Sequence, residues 1–137
     1  MRAFLDTSSL FKKYVDERGS NELDALLQTV SEIAVSPVTW VEMHTVVARR
    51  LRERALSPPQ ASWLTSEIAK DFQRFHRVLW NDALEQRAVE VASRGSLLTL
   101  DAIQLAAGLL SQAEIFVTSD RRLFTEASKQ ALQTRFI

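Results

Sequence analysis

The chain contains no cysteine. This absence excludes thiol catalysis, zinc sites built on thiolates and disulfide cross-links, and it suits a reducing compartment. Only three glycines and three prolines are present, and no glycine-rich loop that could cradle a phosphate occurs. A chain of 137 residues can nevertheless bury a core without a disulfide or a structural metal, so we expect one domain spanning residues 1–137.

Net charge and long apolar runs are also missing. The 17 Lys and Arg residues equal the 17 Asp and Glu residues in number. Because a purely electrostatic nucleic-acid binder is usually basic overall, any nucleic-acid contact here would depend on local basic patches or on a metal ion. No apolar run approaches the length of a membrane span, and the N-terminus has no basic segment followed by an apolar one. We therefore expect a cytoplasmic protein with no signal peptide and no membrane contact.

Short apolar runs alternate regularly with amphipathic segments of helical spacing. Strands are predicted at 2–5, 33–37, 78–80, 114–118 and 134–137, with helices between them. This alternation predicts an α/β fold in three layers, α/β/α, around a mainly parallel sheet of four to five strands. Ser57-Pro58-Pro59 is typical of a helix start. The long helices on either side of that turn are expected to form a helical hairpin.

Four acidic residues occupy unusual positions in this pattern. Asp6 directly follows the first strand, and Asp120 lies two residues beyond the strand at 115–117. Glu42 lies one turn into the helix after the second strand, and Asp101 opens an almost wholly apolar helix. The carboxyl ends of parallel strands lie on one side of a sheet, where open α/β folds bind their ligands. We therefore expect the four carboxylates to meet at one edge of the fold.

Carboxylates gathered in one cleft repel one another, so either some stay protonated or a divalent cation lies among them. Oxygen ligands without Cys or His favour Mg²⁺ or Mn²⁺ over Zn²⁺, and such a site can bind a phosphodiester and activate a water. Each acid also has a simpler interpretation. Asp6 and Asp120 could be helix N-caps, Asp101 could only complement a helix dipole, and Glu42 could be a solvated helix residue.

Four segments resemble, in the same order, the signature segments of PIN-domain proteins, and in particular of the VapC-type toxin ribonucleases of type II toxin–antitoxin systems. They are FLDTS at 4–8, SPVTWVE at 36–42, LDAIQLA at 100–106 and VTSDRRL at 117–123. The resemblance implies that Asp6, Glu42, Asp101 and Asp120 form the family's acidic metal-binding quartet. It also implies that Thr7 and Thr118 are small hydroxyl positions beside it.

The resemblance further implies a function, a cofactor and partners. The expected activity is that of a Mg²⁺-dependent endoribonuclease, with Mn²⁺ as a possible substitute, in which a metal-activated water cuts the RNA phosphodiester bond. The expected partners are a small cognate antitoxin that blocks the acidic site and a second copy of the chain in a homodimer. Lys12 and Lys13, after Asp6, and Arg121 and Arg122, after Asp120, are candidate contacts to the RNA phosphates.

Other polar residues have simpler interpretations, and three other functions compete with this hypothesis. The arginines at 49, 50, 52 and 54 are interpreted as charge that complements a helix C-terminus, and His44 and His76 as structural or surface residues. A phosphatase of the haloacid-dehalogenase type would need a second Asp where Ser8 stands. A receiver domain would fit Thr118 but needs a lysine at a later strand end, and none occurs before Thr134. A catalytically silent PIN-like binding module stays open.

Overall fold

A computed structural model describes all 137 residues and shows five strands, with one or two helices between each strand and the next. None of the helices combines the length and the apolar character that crossing a bilayer requires. The strands are β1 (Arg2–Leu5), β2 (Glu32–Val35), β3 (His76–Arg77), β4 (Ile115–Thr118) and β5 (Gln133–Phe136). The helices are α1 (Thr7–Leu10), which continues as a 3₁₀ turn (Phe11–Lys13), α2 (Ser20–Leu27), α3 (Thr39–Arg52), α4 (Pro58–Phe72), α5 (Asp82–Arg94), α6 (Thr99–Leu110) and α7 (Arg121–Ser128).

The sheet has five strands in the order β3-β2-β1-β4-β5, and all four pairings are parallel. The predicted α/β fold with a parallel sheet is therefore confirmed. The chain builds outward from β1 to β3 on one side and then from β4 to β5 on the other. The order reverses between β1 and β4, and such a switch point is where open α/β sheets form a ligand crevice at the carboxyl ends of their strands.

Helices cover both faces of the sheet because the strand residues alternate in direction. Ala3 and Leu5 of β1 face a core shared with helices α1 to α4, which includes Met43 and Ile68. Phe4 faces the opposite core, shared with α5, α6 and α7. Helix α6 contributes an almost continuous set of buried residues to this second core. The result is the three-layer α/β/α arrangement that the sequence predicts.

Helix starts follow their sequence signals closely. Ser57 caps α4 in a capping box, in which its hydroxyl accepts from the Gln60 amide and the Gln60 side chain accepts from the Ser57 amide, so α3 and α4 form the predicted hairpin. Asn81 caps α5 through one bond, in which its Oδ1 accepts from the Leu84 amide at 2.9 Å. Gly19 precedes α2 at a φ of 93°, a left-handed conformation that favours glycine.

The prediction of a strand at 78–80 is wrong. The edge strand β3 is two residues earlier, pairs with Ala34 and Val35 of β2, and ends at Arg77. Leu79 and Trp80 leave the sheet on the approach to the α5 cap and are 73% and 52% exposed. Their apolar character predicts a strand. The edge strand, however, pairs only with β2, so few side chains surround the residues that follow it, and these residues are exposed.

Candidate active site

A cavity of about 370 Å³ opens at the carboxyl ends of β1 and β4, at the point where the strand order reverses. All four acidic residues that the sequence singled out line it, and they reach it from four different elements. Asp6 follows β1, Asp120 precedes α7, Glu42 lies in α3 and Asp101 lies in the first turn of α6. A fifth carboxylate, that of Glu17, also lines the wall.

Asp6 forms the floor of this cavity and is 3% exposed. Its Oδ1 accepts from the amide and the hydroxyl of Ser9 at 2.9 and 2.8 Å, and its Oδ2 accepts from the Thr118 hydroxyl at 2.6 Å. The Ser8 hydroxyl lies 2.9 and 2.8 Å from the two oxygens. Burial raises the pKa of Asp6, because loss of water outweighs the hydrogen bonds that favour its charged form.

Thr118 joins the ends of the two central strands. Its hydroxyl donates to Asp6 and accepts from the amide of Asp120 at 3.0 Å. Asp120 is the N-cap of α7, because its Oδ1 accepts from the amide of Leu123 at 2.9 Å. Asp6 caps α1 in the same way through Ser9. The simpler interpretation as caps is therefore correct for both acids, and both nevertheless line the cavity.

Glu42 is held by two side chains from other elements. The Thr7 hydroxyl donates to its Oε1 at 2.9 Å, and the Gln104 amide nitrogen donates to the same oxygen at 2.7 Å. Gln104 Nε2 also lies 3.0 Å from Thr7 Oγ1 and 3.3 Å from Thr39 Oγ1. Thr7 thus lies beside the acidic set, as the resemblance implies, and the second oxygen of Glu42 makes no hydrogen bond to the protein.

Sequence reasoning gave Gln104 no role. It is 2% exposed, and its carbonyl oxygen Oε1 is buried without a partner. The sequence feature that could have identified Gln104 is that it is the only polar side chain in the apolar stretch 102–110, three residues after Asp101. On a helix that spacing puts both side chains on one face.

Negative charge is concentrated around Asp101. Burial, and then the charges of Asp120, Asp6 and Glu42, raise the pKa of Asp101 from its ordinary 3.8 to about 6, and the Arg122 guanidinium opposes this only in part. An excess of carboxylate oxygens with an unfavourable charge fits a hard divalent cation, which takes oxygen ligands. As they stand, no three acidic or histidine side chains are arranged to hold a metal ion. The fit to a cation therefore rests on the chemistry of the carboxylates that line the cavity.

Comparison with known proteins assigns this chain to a family. The sequence model of the PIN domain matches residues 3–130, which is most of the chain. The chain belongs to the PIN domain family. It is therefore neither a haloacid-dehalogenase-like phosphatase nor a receiver domain. No curated protein sequence matches this PIN domain.

Solved structures share the fold of this PIN domain. A toxin–antitoxin complex from Klebsiella pneumoniae is similar at a TM-score of 0.65 and 21% identity, over 89% of each chain. VapBC2 from Rickettsia felis, bound to a DNA fragment from its promoter, is similar at 0.70 and 14%, over 100% of this chain and 99% of that one. VapC20 from Mycobacterium tuberculosis, a Sarcin-Ricin loop cleaving toxin, is similar at 0.64 and 18%, over 88% and 92%.

Cations around the acidic cavity of this PIN domain differ from those that the sequence suggested. Lys12 lines the cavity, as expected, but Lys13 donates to Asp71 at 2.7 Å and does not line it. Arg49 and Arg50, which we interpreted as helix-end charge, line the cavity instead. Arg49 lies seven residues, two helical turns, after Glu42 and so shares its face of α3.

The neighbouring arginines divide into paired and unpaired groups. Arg50 donates to Glu17 at 3.1 Å and lies 4.4 Å from the centre of the Phe11 ring. Arg49 is exposed and forms no salt bridge, so its charge is available to a ligand in the cavity. Arg122 is exposed and close enough to act on the charge of Asp101, whereas Arg121 lies outside this cavity, against Phe136.

Proposed function

We propose that this PIN domain is a metal-dependent endoribonuclease toxin that cuts RNA phosphodiester bonds with a metal-activated water. The observation that carries the proposal is that four carboxylates on four separate elements line one cavity at the switch point of the sheet. Simple helix capping accounts for Asp6 and Asp120 but gives no reason for Glu42 and Asp101 to face the same space. Many negative charges in one cleft are costly unless a cation and a substrate use them.

Asp6, Asp101 and Asp120 are the residues that would hold Mg²⁺, or Mn²⁺ in its place, directly or through water, and Glu42 would hold or orient the attacking water. When bound, such a cation supplies positive charge that activates a water and balances charge on the phosphate. Glu42 is oriented through Oε1 by Thr7 and Gln104, so its Oε2 is free to accept a proton from the attacking water. Attack by water on phosphorus breaks the bond to the 3′ oxygen, which takes up a proton from solvent, so the products are a 5′-phosphate and a 3′-hydroxyl.

RNA binding is proposed to use the cations at the rim. Arg49 and Lys12 line the acidic cavity, and Arg122 lies beside Asp101. Contacts to phosphates position a nucleic acid without reading its sequence. These residues therefore give affinity and register, and base recognition must come from other parts of the surface.

The test of this function is the isosteric variant Asp101→Asn, assayed on single-stranded RNA with added Mg²⁺. We expect the variant to lose cleavage while its thermal unfolding stays close to that of the wild type. Glu90→Gln, on the exposed face of α5, is the matched control and is expected to keep full activity. Full cleavage by Asp101→Asn, or full cleavage by the wild type in EDTA, would contradict the proposal. A folded wild type that binds RNA but never cuts it would indicate a silent binding module.

A cognate antitoxin is the proposed protein partner, and a groove beside the site is suited to it. The groove measures about 390 Å³, is lined mainly by apolar residues such as Val15, Leu56 and Trp63, and shares Arg50 with the acidic cavity. Trp63 is 57% exposed, although it lies on the helical hairpin. Adding the product of a short adjacent reading frame should inhibit cleavage, and Trp63→Ala should weaken that inhibition. Equal inhibition of both proteins would exclude the groove.

We also propose that the protein forms a homodimer. Leu79 and Leu110 line a shallow cavity at the β3 edge, and such apolar surface at a short edge strand suits a protein contact. Light scattering in solution should give twice the 15.5 kDa mass of one chain. A mass of one chain at micromolar concentration would contradict this proposal.

A further inference from the structure

A second cavity adjoins the acidic one and carries the opposite charge. It measures about 250 Å³ and shares two wall residues, Lys12 and Ser119, with the acidic cavity. Its other walls are Arg18, Arg121, Phe136 and Ile137, and no Asp or Glu side chain lines it. We call it the basic cavity. Three cations thus face one small space directly beside the place where a phosphodiester has to lie.

Arg121 is held in this cavity by an aromatic ring rather than by an acid. Its guanidinium carbon lies 3.8 Å from the centre of the Phe136 ring, and it forms no salt bridge. Phe136 is fixed in turn by an edge contact with Phe124 at 5.8 Å between ring centres. A guanidinium stacked on a ring keeps its N–H edge free for a planar or tetrahedral oxyanion. Arg121 is therefore ordered and still able to bind an anion.

Lys12 lies on the wall between the two cavities. Its Nζ donates to the carbonyl oxygen of Arg18 and lies 3.7 Å from Oε1 of Glu17. The Arg18 side chain is exposed and takes part in no salt bridge. The Glu17 carboxylate lines only the acidic cavity, and its Oε2 is engaged by Arg50. Of the three cations, only Lys12 therefore has an acidic side chain within salt-bridge distance, and Arg18 and Arg121 have none.

From this geometry we infer that the basic cavity binds the phosphate next to the scissile phosphate on the same RNA strand. The inference rests on the proposed ribonuclease function. Because the two cavities share Lys12 and Ser119, a strand with one phosphate at the acidic residues has the basic cavity directly beside it for the neighbouring phosphate. Arg18, Arg121 and Lys12 supply the charge, and no metal is needed there, because phosphate binding by cations alone is ordinary in nucleic-acid recognition.

The experiment measures RNA binding in a protein that cannot cut. A short fluorescein-labelled single-stranded RNA is titrated with Asp101→Asn protein over a range of salt concentrations. Arg121→Gln and Arg18→Gln are then added separately to that background, with Arg87→Gln as the matched control. Arg87 is a partly exposed arginine on α5 that lines neither cavity. Thermal unfolding is followed for each protein, and Arg18→Gln decides the outcome if Arg121→Gln lowers stability, because the Arg18 side chain is exposed and forms no salt bridge.

We expect each cavity variant to weaken binding about three- to tenfold and to lower the slope of log affinity against log salt by about 0.7, the value for one phosphate contact on a single strand. The control should match the Asp101→Asn parent. Unchanged affinity and slope in both cavity variants, while the wild type still cuts RNA, would overturn the phosphate site and leave the ribonuclease function standing. If the wild type neither binds nor cuts RNA, the function itself fails, and the inference with it.

Discussion

The Gln104 amide nitrogen donates to Glu42 Oε1 at 2.7 Å, and this bond joins α6 to α3 across the candidate active site. The bond defines the orientation of the amide. If the amide were flipped, its oxygen would face Glu42 Oε1, and two acceptors would lie against each other. The observed arrangement instead pairs the Gln104 donor with the Glu42 acceptor. In this orientation the Gln104 side-chain oxygen is buried without a hydrogen-bond partner.

Replacing Gln104 by Met should separate activity from stability. Methionine matches the length of glutamine, removes the donor to Glu42 and also removes the unpartnered oxygen. We therefore expect the free energy of unfolding to fall by no more than about 2 kcal/mol, because relief of the unpartnered oxygen offsets part of the loss of the contacts to Glu42, Thr7 and Thr39. Cleavage in single turnover should fall at least about tenfold, since Glu42 loses an orienting contact. Gln86→Met, at an exposed position of α5, is the control. Equal rates for the two variants would contradict the assigned role.

The raised pKa of Asp101 predicts how stability depends on pH in the metal-free protein. The group titrates near 3.8 when unfolded and near 6 when folded, so the folded state binds more protons between these values. The free energy of unfolding should therefore fall as pH rises from about 4 to about 6, and this contribution should be constant above about 7. Because Asp101 is only half-buried, solvent screening limits the effect to about 1 kcal/mol.

Urea denaturation in EDTA across this pH range measures that effect. The raised pKa of Asp6 acts in the same direction, so Asp101→Asn should reduce the slope rather than abolish it. A variant with the same pH dependence as the wild type would show that Asp101 is not the titrating group.

We expect Arg49 and Lys13 to differ in their contribution to RNA binding. Arg49 is exposed on the wall of the acidic cavity, whereas Lys13 is engaged by Asp71, which also accepts from the Tyr14 hydroxyl at 2.8 Å. Arg49→Gln should weaken RNA binding about three- to tenfold, as expected for one lost phosphate contact. Lys13→Gln should leave binding unchanged and cost at most about 1 kcal/mol of stability. The reverse order in a fluorescence anisotropy titration would contradict this expectation and support the sequence-based prediction that Lys13 contacts RNA.

The second core has no room for a methyl group at Gly108. A Cβ there would lie 2.5 Å from Cδ2 of Phe116, whose ring stacks on Phe4 at 5.2 Å between centres. Gly108→Ala should therefore destabilise the protein by about 1–3 kcal/mol, although alanine favours a helix. Gly95→Ala is the control, because the nearest contact of its Cβ would be the carboxylate end of the Glu126 side chain, which can shift by rotating its own bonds, and not a packed aromatic ring. Similar melting temperatures for the two variants would refute this account of packing.

The sequence predicts the fold and the acidic set because both depend on local patterns. Strands that alternate with helices predict a parallel sheet, and Asp6 and Asp120 can be placed because they follow strand ends. The strand at 78–80 is misplaced because apolar character does not reveal how few neighbours an edge strand has. Arg49 is missed because a residue near a helix end suggests a dipole effect before it suggests a shared face with Glu42.

Gln104 shows the limit of prediction most clearly. Its partners are Glu42, Thr7 and Thr39, which are 62, 97 and 65 residues away along the chain. No local pattern encodes contacts at such separations. They exist because α1, α3 and α6 meet at the same edge of the sheet, and only the assembled fold shows that.

Direct binding of Mg²⁺ tests the central claim, namely that the four carboxylates form a divalent-cation site. Isothermal titration of Mg²⁺ into metal-free protein, without RNA, should give saturable binding in the wild type. The same titration should give greatly weakened binding in Asp101→Asn and unchanged binding in Glu90→Gln. Equal Mg²⁺ binding by the wild type and Asp101→Asn, or RNA cleavage by a wild type that binds no divalent cation, would contradict the account.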